Sequence, residues 1–149
     1  MHENFLSFLE RSPTVWHAAR EIRERLEKAH FSPLEEKDPW HLEAGKGYFV
    51  LRDGAVFAFR LPTKTPERDI LAASHTDSPA LKLKPAPDVE PNNISELPVE
   101  VYGSPLLHTW FDRDLCPAGQ IASEKNRSLS FSRVHIKERP LIIPSIAPH

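Results

Sequence analysis

Apolar positions step by three and four through the first thirty residues and then gather into short β-rich runs from residue 47 onward. Phe5, Leu6 and Leu9 predict a short apolar-faced turn or helix over residues 3–10. Val15, Ala19, Ile22 and Leu26 follow at spacings of four, three and four, which predicts a helix over 13–29. Ser12 is suited to cap it, and Pro13 to its first position, where a missing N–H costs nothing. The opposite face carries Glu21/Arg25 and Glu24/Lys28, each i,i+4 pair adding about 0.2–0.5 kcal/mol.

The stretch "GYFVLRDGAVFAFRLP" then places two β-rich runs, Tyr48–Leu51 and Val56–Leu61, on either side of Asp53-Gly54, a dipeptide suited to a tight hairpin turn. After a polar loop, "ILAAS" (70–74) is apolar on both faces, as a central strand of a helix-covered sheet would be. It leads into His75. Pro79 stops that strand, and Leu81 and Leu83, alternating with Lys82 and Lys84, predict a half-exposed strand beyond it. Residues 86–98 have no period and read as a linker. The runs "PVEVYG", "LLHTWF", "AGQIA", "SFSRVHI" and "LIIPSI" follow at hairpin-like intervals and predict a small β unit.

Composition sharpens this division. Ten of the 15 prolines fall after residue 78, so the second half should be rich in turns and poor in long helices. The 149 residues, 40% hydrophobic and 27% charged, suit a soluble protein with a real core. A net charge of −2 gives no electrostatic reason to expect nucleic acid or an anionic membrane as a partner. The single cysteine, Cys116, excludes an intrachain disulfide and a cysteine-based metal site, and favours a reducing, cytoplasmic compartment. "MHENFLSFLERSP" is no signal peptide, and no run approaches the ~18 apolar residues of a membrane span.

Candidate chemistry centres on "HTDSP". In extended backbone His75 and Asp77 project from one face. An imidazole that binds a metal through one nitrogen needs an acceptor for the other N–H, and a carboxylate is the usual one. Ligands also gather at the carboxyl ends of strands in open α/β sheets, where "ILAAS" delivers His75. Against this, most His-x-Asp triplets are surface residues at a strand end. Asp112 and Asp114 read as a turn with a local ion pair. His108 and His135 lie in strand-like runs and read as solvated or hydrogen-bonded, and His2, His17, His30 and His41 have no ligand spacing among themselves. Cys116 reads as a packed thiol, and Trp16, Trp40 and Trp110 as core or interface anchors.

With its flanks, "HTDSPALKLKP" (75–85) closely resembles the metal-binding motif of the M18 family of aminopeptidases, the aspartyl aminopeptidases. "SPTVWHAAREIRERLEKAHF" (12–31), "PWHLEAGKGYFVLRDG" (39–54), "YGSPLLHTWFDRDLCPAGQI" (102–121) and "IPSIAPH" (143–149) are similar to further family segments in the same order. The resemblance implies an α/β fold: residues 1–85 begin a zinc-peptidase α/β/α domain, and 86–149 are part of an inserted antiparallel β domain that mediates dimerisation. It implies a site for two zinc ions, with His75 a ligand to one and Asp77 orienting it. His149 matches a histidine that reaches a neighbouring subunit's substrate pocket, and the "WFDRD" acids are structural. Peptides carrying an acidic N-terminal residue are the implied substrates, and a homo-oligomer the implied assembly, with neither nucleic acid nor membrane as a partner.

Two departures accompany the resemblance. Pro105 stands in the family's glycine-rich turn, and Ile-Ala-Pro-His stands where the family has Leu-Ala-Ile-His. The family's bridging aspartate, general-base glutamate and remaining ligands have no counterpart here. The expectation is the N-terminal part of such an enzyme, inactive alone. A non-catalytic assembly module and a degraded gene product are the alternatives.

Overall fold

Ser12 precedes a proline, and that pairing disfavours helical backbone at Ser12, so the first 28 residues form two helices. In the computed structural model, which describes residues 2–85 and 95–146, α1 spans His2–Arg11 and α2 spans Val15–Lys28. The second helix starts two residues later than the expected position. Thr14 is its N-cap, extended at φ −141° and ψ 166°, and the buried Ser12 hydroxyl has no hydrogen-bond partner among the described residues.

Along α2, Ala18 and Ala19 are buried, while Val15, Ile22 and Leu26 are half-buried. Phe5, Leu6 and Leu9 of α1 stay exposed. The two helices are joined largely by charge. Glu21, only 6% exposed, accepts from Arg11 Nε at 2.8 Å and Arg25 Nε at 2.9 Å. Arg25 also donates to the Asn4 carbonyl and lies over the Phe8 ring. Glu24 takes Arg20 and Arg11 as its hydrogen-bonded partners, in place of the expected Lys28. The i,i+4 spacing places Glu21 on the outer face of α2, yet it is the buried centre of this network.

Glu21→Ala is expected to lower unfolding stability by about 1–2 kcal/mol. Loss of one partner of a fully buried pair costs ~3–5 kcal/mol, but Arg11 and Arg25 retain enough exposure to rehydrate. Urea unfolding followed by circular dichroism checks this, and a variant within about 0.3 kcal/mol of the parent would deny the network any role.

Three strands follow: β1 (Phe31–Pro33), β2 (Gly47–Arg52) and β3 (Ala55–Arg60), in the order β1-β2-β3. β1 runs parallel to β2, and β3 pairs antiparallel to it with Arg52 opposite Ala55, as the Asp53-Gly54 hairpin requires. Tyr48, Phe49 and Val50 are all buried because the central strand is covered on both faces. One face meets α2; on the other, Tyr48 packs on Phe59, which stacks on Trp40. Asp53 takes the left-handed conformation at φ 50°. Gly54 is needed for space instead, since a Cβ there would lie 2.3 Å from Val15 Cγ2.

"ILAAS" does not form the expected strand. Ile70 and Leu71 are 87% and 86% exposed, and among the described residues no strand pairs with this run. A strand apolar on both faces is stable only between neighbours that cover it.

Beyond it, β4 (Ala80–Leu83) pairs antiparallel with β5 (Val99–Tyr102), and Lys82 Nζ sits 3.8 Å from the Tyr102 ring centroid. "LLHTWF" is not a strand but a 3-10 turn at Leu107–Thr109, closed by the Thr109 hydroxyl donating to the Leu106 carbonyl. "LIIPSI" contributes a single bridge, Leu141 to Leu115. Finally β6 (Ala118–Lys125) and β7 (Ser128–His135) make a regular hairpin, turned by Asn126 and Arg127 at φ 54° and 60°, the sign a primed turn demands.

Helices and sheets are thus mixed, as the α/β class requires. By compactness one unit comprises the residues up to Asp77 together with Ala118–His135, and the other comprises Ser78–Pro117 with the residues from Ile136 on. No helix among the described residues is long and apolar enough to cross a membrane.

Candidate functional site

His75 and Asp77 close the irregular segment that ends the first unit, with Thr76 at a bend between them. His75 Nδ1 lies 3.1 Å from Asp77 Oδ1, so the carboxylate addresses the nitrogen nearer the backbone. The imidazole is 92% exposed and the Asp77 side chain 40%, leaving Nε2 in solvent. An imidazole held in this way offers its outer nitrogen to an electrophile while the carboxylate sets tautomer and ring orientation. The pairing does not arise from a strand end, because residues 70–75 are not a strand. It arises from the bend at Thr76, which keeps the i and i+2 side chains on one side.

These residues fit part of a metal centre. His75 would supply one ligand, with the Asp77 carboxylate already within hydrogen-bond distance of its other nitrogen, and among the described residues no group of three His, Cys, Asp or Glu side chains converges. His149 lies outside the described residues.

Other singled-out residues do different work. Asp112, left-handed at φ 54°, accepts from the Ser145 backbone N–H at 2.9 Å and from the Ser145 hydroxyl, while its own N–H donates to the Ile143 carbonyl at 3.0 Å. It clamps residues 141–146 onto the loop that precedes β6. Arg113 donates to the Thr109 carbonyl, a main-chain contact where a local ion pair was expected. Cys116 is exposed, which corrects the expected packed thiol. Trp16 is half-buried in a groove of about 370 Å³ that Arg20, Arg23, Gln120 and Arg133 also line. His17 and His135 meet edge-on with ring centroids 6.2 Å apart. No spacing rule could have paired them, because their contact joins α2 to a hairpin more than a hundred residues downstream.

The Ser145 donors hold the Asp112 carboxyl below its ordinary value, so the clamp favours folding when Asp112 is ionised. A depressed acid contributes its stability above the unfolded value of 3.8 and loses it as pH falls through the lower folded value. Protection of the Ser145 amide, taken relative to the intrinsic exchange rate at each pH, is therefore expected to be high at neutral pH and to fall in acid. In Asp112→Ala, which removes both acceptor oxygens, that protection should be low throughout, and protection unchanged in that variant would refute the clamp.

Comparison with known proteins bears on the whole chain. Residues 8–149 match the model of Aminopeptidase I zinc metalloprotease (M18). A curated relative, Probable M18 family aminopeptidase 2 of Pseudomonas paraeruginosa, is 40% identical over 152 aligned positions, covering 100% of this chain and 35% of the relative. The chain thus spans about a third of that relative's length. Among solved structures, mApe1 of Chaetomium thermophilum superposes with a TM-score of 0.87 at 30% identity, covering 99% of this chain and 35% of that one. The mApe1 dodecamer of S. cerevisiae gives 0.76 at 27% identity, covering 97% and 35%. A family match that takes in the end of α1, the whole of α2, every described strand and the His75–Asp77 pair places this chain in the M18 family of zinc metalloproteases.

Proposed function

We propose that this chain is the N-terminal portion of a dinuclear-metal aminopeptidase that removes acidic N-terminal residues from peptides. The observation that carries the reading is the His75 Nδ1 to Asp77 contact at 3.1 Å, with Nε2 facing solvent, in a chain of a zinc metalloprotease family. Zinc, when bound, supplies Lewis-acid activation of the scissile carbonyl and of water. His75 is one of its ligands. Asp77 accepts a hydrogen bond from Nδ1–H and so fixes which nitrogen faces the ion, and His149 serves the substrate pocket of a neighbouring subunit.

Residues 1–85 are assigned to the catalytic domain and 86–149 to an inserted β domain through which copies associate. Self-association is supported by Val101, Leu106, Ile142 and Ile146, all exposed in the second unit, and by the dodecameric state of the S. cerevisiae relative. The bare "ILAAS" run supports the fragment reading. Neighbouring strands from the remaining two-thirds, which the relatives possess, would cover it. On this reading the chain alone is inactive, because one ligand cannot hold two ions. The lone, free Cys116 supports a cytoplasmic location.

The test mixes the chain with a separately expressed remainder, taken from a relative, and assays aspartyl and glutamyl anilides with zinc or manganese. Activity from the mixture and none from either part is the expected result. No activity from the mixture, or equal activity without this chain, would remove the proposal.

A further inference from the structure

The hairpin β6–β7 belongs by compactness to the same unit as α2, although the chain enters it from Pro117 and leaves it at Ile136, both of the other unit. At its base, Ala118 to Gln120 and Val134–His135 are half-buried, whereas residues 121–133 are exposed. Docking is therefore concentrated at one end of the arm. At that end the His135 ring meets the His17 ring edge-on at 6.2 Å, and Gln120 and Arg133 face Trp16 and Arg20 across the groove.

The charges at this contact are of one sign. From β7 come His135 and Arg133; from α2 come Arg20 and the helix N-terminus, whose exposed N–H groups carry partial positive charge close to His17 in the first turn. The acids along the same groove are Glu24, Glu27 and Asp53; Glu24 is engaged by Arg20 and Arg11, and Glu27 by Arg23. The Thr14 hydroxyl lies 2.7 Å from His17 Nδ1 and, as either donor or acceptor, opposes neither protonation state. A proton on the His17 imidazole thus enters a cluster that is already basic.

We propose that the His17–His135 contact is an acid-sensitive latch that holds the base of the β6–β7 hairpin on α2 while the His17 ring is neutral and releases it when that ring protonates. Burial, followed by His135, Arg133 and Arg20, lowers the affinity of His17 for a proton below that of a free imidazole. His17 takes up that proton more readily when the arm is released than when it is docked. Docking therefore keeps its full advantage above the ordinary imidazole value of about 6.5 and loses it as pH falls below that value. The hairpin ladder and the β1-β2-β3 sheet contain no histidine except His135, so release leaves both intact.

Trp16 reports the event because it lines the groove that release would open. In the full chain carrying Trp40→Phe and Trp110→Phe, acrylamide quenching of Trp16 should rise about twofold between pH ~7.5 and ~5.5 while far-ultraviolet circular dichroism stays constant. His17→Gln should abolish the rise without altering quenching at the upper pH. Arg133→Gln, which removes one cation, should displace the rise to lower pH and serves as the second variant if His17→Gln fails to fold. A rise that persists in His17→Gln, one unmoved by Arg133→Gln, or one accompanied by loss of helical signal would overturn the latch.

Discussion

Replacing His75 with alanine is expected to lower the aminopeptidase activity of the mixture assembled with the missing remainder by about 10³-fold or more, equivalent to roughly 4 kcal/mol of transition-state stabilisation. The loss cannot come from unfolding. The imidazole is 92% exposed, and substitutions at such positions change stability by no more than about 0.5 kcal/mol. Asp77→Asn should cost less, about 10–100-fold, because the amide keeps an acceptor near Nδ1 but loses the charge that strengthens ligation. Zinc affinity, read by competition with a chromogenic chelator, should fall in the same order for both variants. Full activity in His75→Ala would show that the motif's likeness to a metal site is one of sequence alone. Loss of activity in Asp77→Asn without any change in zinc affinity would assign Asp77 a role other than orienting its neighbour.

Gly54→Ala is expected to destabilise the first unit by about 2 kcal/mol. Two effects oppose each other at this position. Alanine narrows the unfolded ensemble and, where the backbone permits it, stabilises by about 0.4–1 kcal/mol. Here the new Cβ would sit 2.3 Å from Val15 Cγ2, and Val15 is β-branched, so its methyls have little freedom to turn away. Overpacking of this kind costs about 1–3 kcal/mol, and it wins. The cause is tested by a double-mutant cycle with Val15→Ala, which removes the methyl that clashes. A coupling of about 1 kcal/mol in the direction of rescue is expected. Strict additivity would mean that the glycine is required for its backbone conformation and not for space.

Asp53-Gly54 also shows where sequence reasoning stops. The dipeptide between two alternating runs was sufficient to place the hairpin, because turn chemistry acts over four residues and needs no tertiary partner. Why the second residue must be glycine was not legible, since Val15 reaches the turn only after α2 has packed on the sheet. Glu21 is a similar case. Its i,i+4 partner Arg25 could be read from spacing, but its burial depends on Arg11 arriving from α1. "ILAAS" shows the converse. Its apolar pattern is that of a central strand, yet among the described residues it has no neighbours to pair with and stays bare. "LLHTWF" has the composition of a strand but folds as a 3-10 turn, since a short apolar run has no period to separate extended from turned backbone.

By itself the sequence determined the two helices, the first hairpin, the β4 and β5 strands and the His-x-Asp pair, along with the family to which they belong. All of these follow from interactions within a few residues or from long motifs in order. Only the tertiary structure decided that Glu21 is buried, that Asp112 clamps a distant loop, and that the last hairpin meets α2 through two histidines. Each of those depends on segments that the fold alone brings together, and side-chain contacts across such distances leave no periodic trace in the chain.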